Sequence, residues 1–280
     1  DDYWNNATSG LSLASLRMAA AQSGMQVASA SATLQSRDYL EQYARTWGQP
    51  QQRMMLFSLK SPSNELKNIQ TNANPASYPQ LSDDGKVLAY INDGSSSSIY
   101  DSRAHFSTLS GGVYTPSSEI AAPTEFPGYG DTSVSLSGTD SFAAAAWVRM
   151  GTDLPGKDAR DSVTLEEQNL LMNSTEIVAS VYNGSTWTST RLTNDGTPDL
   201  APATAVGGNG KAIVFWRSVY TPDPGTQDSN SLLNFTTRDC IMYRCYDSTD
   251  GTWSEAKMLY NGATGRVKAL QAAMLPDGTA

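Results

Sequence analysis

The chain has 280 residues, which suits one or two domains with a sizeable core. Acidic residues outnumber basic ones by 28 to 19, for a formal net charge of −9 at pH 7. Because such a field repels a phosphate backbone, the composition argues against a nucleic-acid partner. No apolar run approaches the roughly 18 residues that a transmembrane helix needs, so we expect no transmembrane segment.

Residues 1–48 differ in pattern from the remainder of the chain. Apolar side chains recur at helical spacing over 11–25 and 38–47, and Gly48 suits a helix end. This pattern predicts a helical leader, which either caps the fold or ends a preceding domain. Two strands of a partial unit are expected next, at 53–70.

A strand–turn–strand pattern then recurs along the chain. Residues 78–91 contain an apolar strand, an Asp/Gly turn and a second apolar strand. The same order returns at 133–148 and 201–216, and 270–278 begins it again. Recurrence of this kind predicts a repeat architecture.

A second half-unit lies between these copies. In 177–192 and 241–258, alternating residues lead to a Tyr, a Gly-containing turn and a Trp that begins the next strand. Trp187 and Trp253 occupy equal positions, and we expect them to be packing residues. Each unit therefore has four strands, A to D in chain order.

Four short antiparallel strands per repeat are typical of a β-propeller blade. The sequence predicts a mainly β protein, with complete blades at 78–110, 132–194 and 200–260 and the start of another at 267–280. Residues 49–280 would form this domain. The last A strand either closes a ring with 53–70 or belongs to a longer propeller, and we favour part of a larger polypeptide.

The stretch 79–90, Pro-x-Leu-Ser-Asp-Asp-Gly-Lys-x-Leu-Ala-Tyr, resembles repeats of TolB-like and prolyl-oligopeptidase-type propellers. The Trp-containing turns at 182–187 and 250–254 resemble propeller repeats of large bacterial surface proteins. The resemblance implies architecture, because propellers host unrelated functions. Low lysine content, the acidity of the chain and the resemblance of the Trp-containing turns together favour an extracellular, cell-surface location in a bacterium.

Long connections carry the candidate ligand-binding residues. Antiparallel order places the B–C and D–A connections of a blade at one end, so 110–131, 151–175 and 220–239 are expected to share a face. Aromatic and carboxylate side chains in these segments suit a carbohydrate or protein ligand. The candidates are Tyr114, Glu119, Glu125, Phe126, Tyr129, Asp131, Tyr220 and Asp223.

We therefore expect an extracellular binding or adhesion propeller that does no chemistry within these residues. The alternatives are an accessory propeller of a larger secreted peptidase or glycosidase, a glycosidase that uses Glu119 and Glu125, and a spacer. No Gly-x-Ser-x-Gly elbow is present. Glycosidase chemistry requires two carboxyl groups at a set separation, and the sequence alone does not show the distance between Glu119 and Glu125.

No cofactor is expected. Cys240 and Cys245 fit no zinc spacing, and an odd separation places them on opposite faces of a strand. The single histidine, His105, is expected to be structural. Calcium is the one ion for which ligands cluster, in the oxygen-rich turns at 194–199 and 247–251, although neither has EF-hand spacing.

Overall fold

The computed structural model describes residues 54–60, 65–74, 77–93, 99–157, 164–219, 239–261, 267 and 270–280. These residues form antiparallel strands arranged in three sheets. The predicted helical leader at 1–48 lies outside them. None of the helices in this part of the chain has the length and apolar character that crossing a membrane requires.

The first sheet contains a hairpin followed by the first full repeat. Its seven strands are β1 (Met54–Lys60), β2 (Glu65–Ala73), β3 (Gln80–Leu81), β4 (Val87–Asn92), β5 (Arg103–Ser110), β6 (Val113–Tyr114) and β7 (Ser118–Glu119). β4 pairs with β5 along its whole length. The hairpin β1–β2 joins this sheet through Ala73, which pairs with Asn92.

The second sheet is a complete four-stranded blade. It consists of β8 (Tyr129–Gly138), β9 (Ala143–Met150), β10 (Thr175–Tyr182) and β11 (Trp187–Arg191), which lie side by side in chain order. A helix, α1 (Leu165–Asn173), lies in the connection from β9 to β10. Thr164 and Glu167 cap its first turn reciprocally, each side chain accepting from the other residue's backbone N–H.

The third sheet repeats this order with a divided outer strand. It consists of β12 (Asp199–Val206), β13 (Lys211–Val219), β14 (Asp239–Asp247), β15 (Thr252–Trp253) and β16 (Lys257–Asn261), and both short strands pair with β14. The predicted fold class, mainly β with four-stranded antiparallel blades, is confirmed.

The sheets pack face to face, with β9 in the middle. Ala143, Ala145 and Trp147 face the core shared with the first sheet. Ala146 and Val148, which alternate with them, face the core shared with the third sheet. The strand is buried at every position, and the alanine run lets two neighbouring sheets approach it closely.

Successive units also touch along their first strands. Asp83 N donates to Gly138 O at 2.7 Å, which joins the A–B turns of the first and second sheets. Thr204 N donates to Ser135 Oγ at 3.0 Å, which joins the second sheet to the third. The turn at 276–278 then approaches Asn209, whose Nδ2 donates to Asp277 O at 3.4 Å. Stacked sheets that meet along their A strands are the arrangement of propeller blades.

Every blade has two unlike ends. The B–C and D–A connections lie at one end, which we call the loop face. The A–B and C–D turns lie at the other end, which we call the turn face. The pairs Asn92–Arg103 and Met150–Thr175 mark the loop face of the first two sheets. Gly138, paired with Ala143, marks the turn face.

Candidate functional site

Two tyrosines from different sheets meet on the loop face. Tyr100 lies in the 3-10 turn Ile99–Asp101, and Tyr129 begins β8. Their ring centroids are 6.2 Å apart with an interplanar angle of 79°, an edge-to-face contact. Tyr129 is 39% exposed, so one side of this tyrosine pair is open to solvent.

Carboxylates lie near Tyr100. The hydroxyl of Tyr100 accepts a hydrogen bond from the Leu154 backbone N–H at 2.9 Å. Burial raises the pKa of Tyr100, and the nearby charges of Asp153 and Glu167 raise it further, so its hydroxyl stays neutral. Asp101, next to Tyr100 in sequence, is exposed. The aromatic surface therefore has acidic side chains close to one of its two rings.

Four of the predicted ligand residues lie in or near this region, but only two of them are open to solvent. Glu125 and Tyr129 are exposed. Phe126 is 6% exposed and lies beneath the guanidinium of Arg191, whose Cζ is 3.9 Å from the ring centroid. Asp131 is fully buried. Phe126 and Asp131 therefore support the surface from below.

The other predicted residues are placed differently. The segment 110–131, expected as one long connection, contains β6 and β7, which extend the outer side of the first sheet. Tyr114 lies at the turn face, where its hydroxyl donates to Gly85 O at 2.6 Å. Glu119 is exposed on β7 opposite His105. Tyr220 and Asp223 lie outside the described residues.

The single histidine has a local partner. His105 Nδ1 lies 2.6 Å from Ser117 Oγ, and burial lowers the pKa of the imidazole. Its neighbourhood is that of a strand residue packed under β7. The two cysteines, Cys240 and Cys245, are both free thiols.

A buried ion pair fixes the loop-face end of the second sheet. Arg149 donates to the Asp131 carboxylate through Nε at 2.6 Å and Nη2 at 2.7 Å. Its Nη1 donates to Pro127 O at 2.7 Å. Asp131 Oδ2 also accepts from Ala104 N of the first sheet at 2.8 Å. This pair therefore holds together both sheets beneath the tyrosine pair.

A second acidic group lies between the second and third sheets. Carboxylate oxygens of Glu176, Asp195 and Asp199 all lie within 4.8 Å of one another. Burial raises the pKa of Asp199 well above its usual range, and the charges of Asp195 and Glu176 act in the same direction, against hydrogen bonds from Thr193 and Ser218. Burial also raises the pKa of Glu176, against hydrogen bonds from Thr193 and Arg191. Among the described residues this group has the donor set of a metal site.

Sequence reasoning missed two features of the loop face. Tyr100 follows a polar run at 95–98, inside the predicted blade 78–110, and is not among the predicted ligand residues. Helix α1 lies within the segment 151–175, which was expected to be loop. The Thr164-Leu-Glu-Glu167 sequence matches the capping-box signature, and that signal would have revealed the helix.

The fold defines the chain as a protein of β-propeller blades with a polar loop face. No protein-family model matches the sequence, and no curated protein does either. Similar solved structures include an α-L-arabinofuranosidase of Fusarium graminearum, at 10% identity over 76% of this chain and 61% of that one, with a TM-score of 0.37. An α-L-arabinanase of Penicillium chrysogenum has 12% identity over 80% of this chain and 64% of its own, with a TM-score of 0.39. The chain thus covers less than two thirds of each.

Proposed function

We propose that this chain is an extracellular binding propeller that holds a carbohydrate on its loop face. The observation that carries the proposal is the tyrosine pair, in which exposed Tyr129 packs edge-on against Tyr100 beside acidic side chains. An aromatic ring offers an apolar face to the C–H side of a sugar, and the carboxylates of Asp101 and Asp153 offer acceptors to its hydroxyl groups.

The surface is held in place before any ligand arrives. The Leu154 N–H fixes the hydroxyl of Tyr100, and the ring of Tyr100 in turn supports Tyr129. Beneath them, the Asp131–Arg149 ion pair is 0–1% exposed. A rigid aromatic loses little conformational entropy on binding, so such a platform favours affinity.

The site also draws on more than one blade. Tyr100 comes from the connection after β4 of the first sheet, whereas Tyr129 begins β8 of the second sheet and Asp153 lies in the connection after β9. Binding residues displayed on connections above a rigid scaffold are the usual arrangement in folds of this kind. A protein ligand would use the same aromatic anchor, and the experiment below separates the two classes of ligand.

Substitution of Tyr129 tests the proposal. We expect Tyr129→Ala to weaken glycan binding by about tenfold or more, because a central aromatic anchor is worth about 2 kcal/mol. The variant should fold normally, since the side chain is partly exposed. Wild type and variant would be compared on a glycan array and a peptide array, followed by affinity measurement on the best glycan.

The matched control is Tyr260→Ala, which removes a similarly exposed tyrosine, 44% accessible, from β16 of the third sheet. This control should bind like wild type. Binding to peptides alone would assign a protein ligand and overturn the carbohydrate proposal. Equal glycan binding by Tyr129→Ala and wild type would overturn the assignment of the surface.

The alternative is an accessory propeller of a larger secreted hydrolase. The loop face would then present the polymer to catalytic residues elsewhere in the polypeptide. Asp199 and Glu176 are unsuited to glycoside hydrolysis in this arrangement, because both are at most 2% exposed and a glycosidic bond cannot reach them. Release of shortened glycans by the full-length polypeptide would favour this alternative.

A further inference from the structure

Three carboxylates converge between the second and third sheets at the loop-face end. Glu176 lies near the start of β10, Asp195 in the connection after β11, and Asp199 at the start of β12. Their nearest oxygens lie within 4.8 Å of one another. Glu176 and Asp199 are buried, whereas Asp195 is exposed, so the group opens to solvent on one side.

One oxygen of this group is buried without a well-aligned donor. Asp199 Oδ1 accepts from Trp216 Nε1 at 3.0 Å. Among the described residues no donor forms a well-aligned hydrogen bond with Asp199 Oδ2, although the side chain is 0% exposed and the hydroxyls of Thr193 and Ser218 lie close to the carboxylate. The nearby hydroxyl of Thr193 donates to Glu176 Oε2 at 2.6 Å. A buried carboxylate oxygen without a well-aligned donor raises the free energy of the folded state. A ligand that supplies positive charge would offset this penalty.

In the preceding blade an arginine pairs with the aspartate at the corresponding position. Asp131 stands near the start of β8 as Asp199 stands at the start of β12, and each has an arginine 18 residues later. Asp131 pairs across the strands with Arg149, so both side chains share a face and form an ion pair.

In the third sheet the register differs by one residue. Asp199 pairs with Ser218, and Arg217 pairs with Leu200. Because side chains alternate along a strand, Arg217 points away from Asp199. It lies instead 3.8 Å from Asp239. Arg217 therefore does not form with Asp199 the ion pair that Arg149 forms with Asp131.

The remaining charge balance is negative. Arg191 Nη2 contacts Glu176 Oε1 at 2.9 Å and offsets one of the three carboxylates. Two formal negative charges remain in this group of four side chains. Thr197 Oγ1, which donates to Asp195 Oδ1 at 2.6 Å, and Ser218 Oγ, 3.3 Å from Thr197, supply further oxygens nearby.

We propose that Glu176, Asp195 and Asp199 bind a calcium ion between the second and third blades. Carboxylate and hydroxyl oxygens are the ligands of hard divalent cations, and the flexible coordination of Ca²⁺ suits an irregular set better than the octahedron of Mg²⁺. The ion would perform for this interface what Arg149 performs for the one before it. The proposal is independent of carbohydrate binding.

Calcium titration of the full chain tests the site. After treatment with EDTA, the protein would be titrated with CaCl₂ and with MgCl₂ in a calorimeter, and its melting temperature followed. We expect Ca²⁺ to raise the melting temperature, because a ligand of the folded state stabilises it by mass action. Asp195→Asn should weaken the affinity at least about tenfold, the scale of effects seen around metal sites.

Two further variants complete the design. Asp199→Asn should abolish the rise in melting temperature with Ca²⁺. If Asp199→Asn does not fold, Asp195→Asn still tests the site, because it alters an exposed side chain. Asp250→Asn, in the exposed turn after β14, is the control and should respond like wild type. Absence of a Ca²⁺ response, or an unchanged affinity in Asp195→Asn, would overturn the proposal. Tighter binding of Mg²⁺ than of Ca²⁺ would overturn the assignment to calcium.

Discussion

Replacement of Arg149 by methionine is expected to lower the free energy of unfolding by about 3–5 kcal/mol, because it removes one partner of a buried ion pair. Arg149 and Asp131 are 1% and 0% exposed, and two hydrogen bonds of 2.6 and 2.7 Å join them. Methionine keeps most of the aliphatic stem, so the change measures chiefly the loss of the charge that faces Asp131. Equilibrium unfolding in urea would give the difference.

The matched control is an exposed pair on the turn face. Lys86 Nζ lies 2.8 Å from Asp140 Oδ2, and both side chains are 46% exposed. Lys86→Met should therefore change stability far less than Arg149→Met. The double variant Asp131→Asn with Arg149→Met should recover part of the loss, since no charge then remains buried. Similar losses in the two single variants would contradict this account of the loop-face end.

Replacement of Gly138 by alanine is expected to cost about 3 kcal/mol or more, because steric overlap adds to backbone strain. Gly138 has a φ of 111°, in the region that favours glycine. An added Cβ would collide with Phe142 O and lie 2.6 Å from Ala143 Cα, both of them backbone atoms. Thermal or urea unfolding would report the loss.

Gly111 provides the comparison for Gly138. Its φ of 59° is also positive, but an added Cβ would meet nothing within 4 Å. Gly111→Ala should therefore cost only the strain of the left-handed conformation, about 1–2 kcal/mol. Gly138 additionally exchanges two hydrogen bonds with Asp83 of the first sheet, at 2.7 and 3.0 Å. Equal losses in the two variants would show that the turn relaxes around the added methyl group.

The repeat was visible in the sequence because its turns have distinctive chemistry. Asp/Gly turns and alternating apolar residues located β4, β9 and β13 without reference to long-range contacts. The short strands β6 and β7 were not predicted, since two-residue strands have no periodicity to detect. Their pairing with β5 depends on the neighbouring strand and not on their own sequence.

The candidate sites depended on register, which sequence spacing does not determine. The equal separation of 18 residues from Asp131 to Arg149 and from Asp199 to Arg217 suggests two equal ion pairs. A one-residue difference in pairing turns Arg217 to the other face, as the structure shows. The oxygen-rich turn at 194–199 is predicted as a possible calcium site, but Glu176 approaches it from β10 of the second sheet, which only the fold reveals.

The proposed ligand lies on the loop face. Hydrogen–deuterium exchange of the chain, with and without the glycan that it binds most tightly, would locate the contact surface directly. We predict added protection at 99–103, 126–131 and 151–154, with the turn-face segments 82–86 and 138–142 unchanged. Protection confined to those turns, or to the edge strand Lys257–Asn261, would contradict the claim.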